Sequence, residues 1–113
     1  MPRFAIAQLE TIPSVQCPCG TSRRAFGIPD HPNFSVHLVE ISVDARTHYH
    51  KGLTETYVIV EGEGWIELDR VRVPVRPLTA ITIQPGCRHR AIGKLKVLNL
   101  VVPAFDPADE HFD

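Results

Sequence analysis

His48-Tyr49-His50-Lys51-Gly52-Leu53-Thr54-Glu55 is the stretch on which the reading of this 113-residue chain turns. In an extended chain, side chains two apart share a face, so the imidazoles of His48 and His50 point one way and the Tyr49 ring the other. Lys51 to Thr54 is a short turn, and a hairpin there brings the Glu55 carboxylate back beside the imidazoles. Far along the chain, Gln84-Pro85-Gly86-Cys87-Arg88-His89 sets another histidine just after a turn, where a rigid backbone aims it inward. A lone histidine is more often a surface or packing residue, but four coordinated features reverse those odds. His48, His50, Glu55 and His89 are therefore the candidate metal ligands. Three neutral imidazoles and one carboxylate suit a divalent transition metal such as Fe, Mn, Ni, Co or Zn, and not an all-oxygen calcium site. The spacing does not choose among these metals.

The surrounding sequence reads as all-β. Short runs rich in Val and Ile span Phe34 to Val43, Glu55 to Val60, Trp65 to Leu68, Val71 to Val75, Thr79 to Ile83 and Lys96 to Val102. Turn signals separate them: Glu61-Gly62-Glu63-Gly64, Asp69-Arg70 and Pro85-Gly86. No interval carries apolar residues at helical spacing over several turns, so helix is expected to be scarce. Many short strands joined by tight turns point to a sandwich or a closed barrel, since closure removes edges that would pair with other chains. The proline- and glycine-broken stretch Thr11 to Pro32 and the acidic end after Pro103 read as irregular arms. The expected organisation is one domain: an N-terminal arm and first strand over 1–33, a core over 34–102 and a tail over 103–113.

His48, His50, Glu55 and Gly62 match every position of a motif H-x-H, three or four residues, E, six residues, G, and Gly86 with His89 keeps a second motif's Gly-x-x-His core. Over about Val36 to Val102 the chain resembles the cupin superfamily. Ser42 and Leu78 stand where these motifs often open with glycine, Pro85 is one residue late, and Gly93 replaces a closing asparagine. None of the four is a ligand position. The resemblance implies a single jelly-roll barrel with irregular N- and C-terminal arms, a metal inside it, and, as in many small cupins, a homodimer.

A net charge of −1 excludes the concentrated positive field of a nucleic-acid binder. MPRFAIAQLE lacks the apolar core of a secretory signal, and no run approaches the roughly 18 apolar residues of a membrane span. Three cysteines, Cys17, Cys19 and Cys87, cannot all pair within one chain. A cytoplasmic protein with reduced thiols is expected, with neither nucleic acid nor membrane as a partner. Cys17-Pro18-Cys19 has one residue between its thiols, short of the usual zinc and redox spacings.

Tyr57 shares the strand parity of Glu55 and is the candidate proton donor, with core packing as its other reading. Trp65 reads as barrel packing and His37 as a hydrogen-bonded core histidine. Arg23, Arg24, Arg88 and Arg90 are the candidate substrate-binding residues, because a guanidinium fork matches a carboxylate bidentately. Side chains that face opposite ways on an extended chain cannot both line a pocket, so at most one of Arg23 and Arg24, and one of Arg88 and Arg90, is expected to do so. The function these readings support is a metal-dependent enzyme, dioxygenase- or isomerase-like, acting on a small anionic oxygen-rich molecule. The alternative is a non-catalytic module that binds a metal or small ligand.

Overall fold

The computed structural model describes residues 3–18, 20–42 and 44–113; Cys19 lies outside them. Seven strands form one antiparallel sheet: β1 Val15–Cys17, β2 Gly20–Phe26, β3 Ser35–Ile41, β4 Thr54–Leu68, β5 Val71–Val75, β6 Ala80–Ile83 and β7 His89–Val102. The strand order is β1-β2-β3-β7-β4-β5, with β6 beside the first half of β4. The sheet curls into a jelly-roll barrel whose hydrogen-bonded path does not close. Among the described residues, helix is confined to the one-turn 3-10 segments Leu9–Thr11 and Pro107–Asp109. Among the described residues no helix is long and apolar enough to cross a membrane.

β4 and β7 are the spine, paired from Thr54↔Val102 to Leu68↔His89. β3 covers only Leu95 to Val101 of β7, and the segment carrying the histidine pair lies beside the remainder, with Ala45 N–H donating to Ala91 O and a bridge between His48 and His89. The apolar core comprises Val39, Ile41, Ile59, Ile66, Val75, Ala91, Leu95 and Val97. Ile59, Ile66 and Val101 are 0% exposed, and each contributes about 1.5–3 kcal/mol from leaving water.

Three features differ from the sequence reading. Glu61 to Gly64 is not a turn: the expected strands 55–60 and 65–68 are one fifteen-residue strand. A register shift between Ile59 and Glu61 puts a bulge there. The extra residue reverses strand parity, so Glu55, Tyr57 and Ile59 face the same side as Ile66. Trp65 is consequently turned outward and 42% exposed rather than packed in the barrel. The third difference is β1 and β2, which order the stretch read as an irregular arm. Their residues Gly20 to Arg24 are small or polar and show no apolar run, but the partner strand β3 pairs with β2 along its whole length.

Asp69 and Arg70 form the expected two-residue hairpin, both with positive φ, 46° and 73°, the twist that suits antiparallel strands. Leu78, where the resembling motif often has glycine, keeps the left-handed conformation at φ 74°. Gly62 serves a close approach: at φ +92° its missing Cβ is where the Lys94 carbonyl oxygen of β7 lies, whereas Gly86, at φ +89°, has nothing near its Cβ position. Gly86→Ala is therefore expected to cost only backbone strain, about 1 kcal/mol. Gly62→Ala adds a backbone collision and is expected to cost roughly 3 kcal/mol. Urea unfolding midpoints of the two variants check this, and equal destabilisation contradicts it.

Candidate metal centre

The ligand atoms of His48, His50, Glu55 and His89 all lie within 4.8 Å of one another, and all four residues are buried. Alternation delivers two of them: His48 and His50 are 8% and 3% exposed, while the intervening Tyr49 ring lies under the Arg88 guanidinium at 3.5 Å. The turn after His50 returns β4 with Glu55 as its second residue. The turn before β7 is tied to the same segment, since Gly86 N–H donates to His50 O at 2.7 Å and His89 N–H to His48 O at 2.9 Å.

What orients the rings is a set of backbone carbonyls. His48 Nδ1 lies 3.0 Å from Arg46 O, His50 Nδ1 2.8 Å from Asp109 O, and His89 Nδ1 2.9 Å from Cys87 O. A carbonyl oxygen only accepts, so each Nδ1 carries the hydrogen and each neutral ring turns its Nε2 lone pair into the site. His50 and His89 both bring Nε2 to 3.0 Å from Glu55 Oε1. A carboxylate also only accepts, and three lone pairs facing a buried anion are stable only if protons or a cation stand between them. In the metal-free protein His50 is a group that takes such a proton: burial disfavours it, but the adjacent charge of Glu55 outweighs burial and raises the pKa. His48 is lowered to about 4, by burial and then by His89. Burial raises Glu55, but the close approach and charges of His50 and His89 overcome it and hold the carboxyl well below the usual carboxylate range. His50 Nε2, although close to Glu55, is not aligned with it and remains a buried nitrogen without a hydrogen-bond partner. The donor set and its orphaned nitrogen fit a divalent metal.

The cavity next to this cluster measures about 580 Å³ counting its open mouth, and Arg24, His37, Tyr57, Asn99, Phe105 and Glu110 contribute to its wall. Tyr57 lies with its ring centroid 6.2 Å from that of His89 and also packs against the apolar core. His37 is a buried histidine paired with Ser35 Oγ at 2.9 Å; burial first, then Arg24, lowers it to about 4. Of the four arginines only Arg24 lines the cavity, its guanidinium 4.5 Å from the centre of the Phe105 ring. Arg23, on the opposite face, bonds to Ile12 O. Arg88 and Arg90 are each one residue from the inward His89 and so both face away from the cavity. They pair with Asp113 at 2.9 Å and with Glu67 at 3.1 Å. Cys87 is half-buried and off the cavity, its pKa raised by burial and then by Asp69.

Sequence reasoning missed the part played by the tail. Asp109 takes the His50 Nδ1 hydrogen on its carbonyl, and its carboxylate accepts from Lys51 and Gly52 N–H at 2.8 and 2.9 Å. Glu110 reaches to 3.9 Å from His48 Nε2 and burial raises its pKa. Asn99 Nδ2 donates to Glu55 Oε2 at 2.5 Å, a contact signalled in the sequence only by a polar residue inside the apolar run Lys96 to Val102.

No family model matches the sequence, and no curated protein does. Among solved structures, a protein from Planctomyces limnophilus is 42% identical, with 99% of this chain and 97% of that one covered and a TM-score of 0.91. Pac13, described as a nucleoside dehydratase, is 21% identical over 96% of this chain and 89% of its own, at TM-score 0.83, and a Streptomyces Pac13 variant, 22% identical over 92% and 86% at TM-score 0.80, holds uridine. Ectoine synthase from P. lautus is 19% identical over 96% and 88%, at TM-score 0.78. The likeness to Pac13 and ectoine synthase shows that this chain has the cupin barrel fold.

His50→Ala is expected to lower metal affinity at least 10–100-fold, and Asp109→Ala, which frees the carbonyl holding His50, about tenfold. His31→Ala, in the Phe26–Phe34 ring cluster, is expected to leave affinity unchanged. Competition with a chromogenic chelator measures all three; unaltered affinity in His50→Ala contradicts the ligand assignment.

Proposed function

We propose that this cupin is an enzyme that holds a divalent transition metal through His48, His50, Glu55 and His89 and acts on a small, oxygen-rich anion. The observation that carries this reading is the set of three Nδ1–H bonds to carbonyls, which turns three Nε2 lone pairs toward one buried carboxylate beside a cavity that contains an arginine. When bound, such an ion supplies Lewis acidity to a ligand oxygen, or access to dioxygen if it is iron. Arg24 takes the negative end of the ligand, and Tyr57 moves a proton elsewhere on the cavity wall. The Phe105 ring beneath Arg24 excludes water and strengthens that contact.

An isomerase-like proton transfer is the leading reaction, because Tyr57 and the cavity need no further co-reactant for it. That Pac13, sharing the fold, is a dehydratase of nucleosides supports chemistry on a hydroxylated small molecule. The second reading, a binding module without turnover, rests on the same donor set and separates from the first by experiment. Metal-loaded protein is assayed against hydroxy acids, keto acids and uronates, with Tyr57→Phe alongside. Turnover that falls 100-fold or more in Tyr57→Phe, with metal affinity retained, is the expected result. Tight metal with no turnover of any compound favours the binding module and overturns the enzyme.

A further inference from the structure

The pairing register aligns Arg24 with His37, His37 with Asn99, and Asn99 with Tyr57. One residue from each of β2, β3, β7 and β4 thus stands in a single row across four neighbouring strands, and all four line the cavity. A polar row through the inside of a barrel is costly unless its groups are satisfied. Here three buried atoms are not: Arg24 Nε, Asn99 Oδ1, and Ser22 Oγ one row away. Asn99 and Ser22 are 4% and 2% exposed.

The chemistry of each orphan is determined. Asn99 Nδ2 is committed to Glu55 Oε2, and since the carboxylate only accepts, the amide cannot be flipped. Asn99 lines the cavity, and its Oδ1 is therefore left as a buried acceptor that needs a donor. Arg24 Nε is a donor that needs an acceptor, and its positive charge favours an anionic one. Ser22 can serve either way. Room is limited, since the enclosed part of the cavity takes about four water-sized groups.

We propose that this row is a subsite selecting a small hydroxy acid, with the carboxylate on Arg24 and a hydroxyl donating to Asn99 Oδ1, in preference to the corresponding keto acid. Resting on the enzyme reading above, the proposal adds the substrate class and its two selecting residues. A keto oxygen set against Asn99 Oδ1 places two acceptors together and leaves both unpaired, so the selectivity is a rejection as much as an attraction.

Calorimetric titration tests it, with D- and L-lactate and D- and L-glycerate set against pyruvate and hydroxypyruvate, in both metal-free and zinc-loaded protein. One enantiomer of a hydroxy acid is expected to bind at least tenfold more tightly than its keto counterpart. Arg24→Gln is expected to weaken both members of a pair about tenfold or more while preserving their ratio, with Arg24→Lys recovering part of the loss. Asn99→Ala is expected to collapse the ratio toward one. Thermal unfolding and zinc affinity of Arg24→Gln, both expected near wild type, keep a folding defect from imitating the result. Keto acids binding as well as hydroxy acids, acid affinity unchanged in folded Arg24→Gln, or no acid binding below about 10 mM each overturn the subsite. Failure of zinc to bind overturns the metal reading instead, and the metal-free titrations still decide the subsite.

Discussion

The interaction on which the site depends is the donation of three imidazole Nδ1–H groups to the backbone carbonyls of Arg46, Asp109 and Cys87. Without those bonds each ring is free to rotate and to choose its tautomer; with them, His50 and His89 set Nε2 against Glu55 and His48 joins the same cluster. The arrangement concentrates electron pairs in a dry place, where an uncompensated anion is expensive. It is stabilised by protons, as His50 illustrates, or by a cation. Two of the three carbonyls lie two residues from the histidine they hold and are set by local extended backbone. The third comes from the tail, so the last residues of the chain are part of the centre.

Barrel and tail support one another around it. The β4–β7 pairing carries Glu55, Tyr57, His89 and Asn99 on neighbouring strands, so their spacing is set by sheet geometry rather than by loops. The histidine segment borders the portion of β7 that β3 leaves uncovered, and the tail borders that segment in turn through the Tyr49–His111 bridge. Arg88, although turned away from the cavity, holds Asp113 and covers Tyr49. Its contribution is to dock the tail that carries Asp109 and Glu110.

The four-residue cluster was legible because period-two alternation and a short turn are local rules, and both held at His48, His50 and Glu55. The strand content was legible from Val and Ile runs for the same reason. Gly62 was misread because glycine marks turns and close approaches alike; only the position of Lys94 on the neighbouring strand distinguishes them. The bulge beside Val60 has no sequence signal, and it alone reverses the orientation of Trp65. Of the arginines, parity limited Arg23 and Arg24 to one inward residue, and the same rule applied from His89 puts Arg88 and Arg90 outside. Asp109 was not legible, because it acts through a backbone carbonyl 59 residues from His50, and any residue type presents that group.

Anomalous diffraction from crystals grown with cobalt or zinc, collected at the metal edge, tests the central claim most directly. The account predicts a single strong internal peak with Nε2 of His48, His50 and His89 and one Glu55 oxygen at about 2.0–2.2 Å. Metal-soaked crystals without a peak between these four side chains, or with the metal bound only at the surface, contradict it.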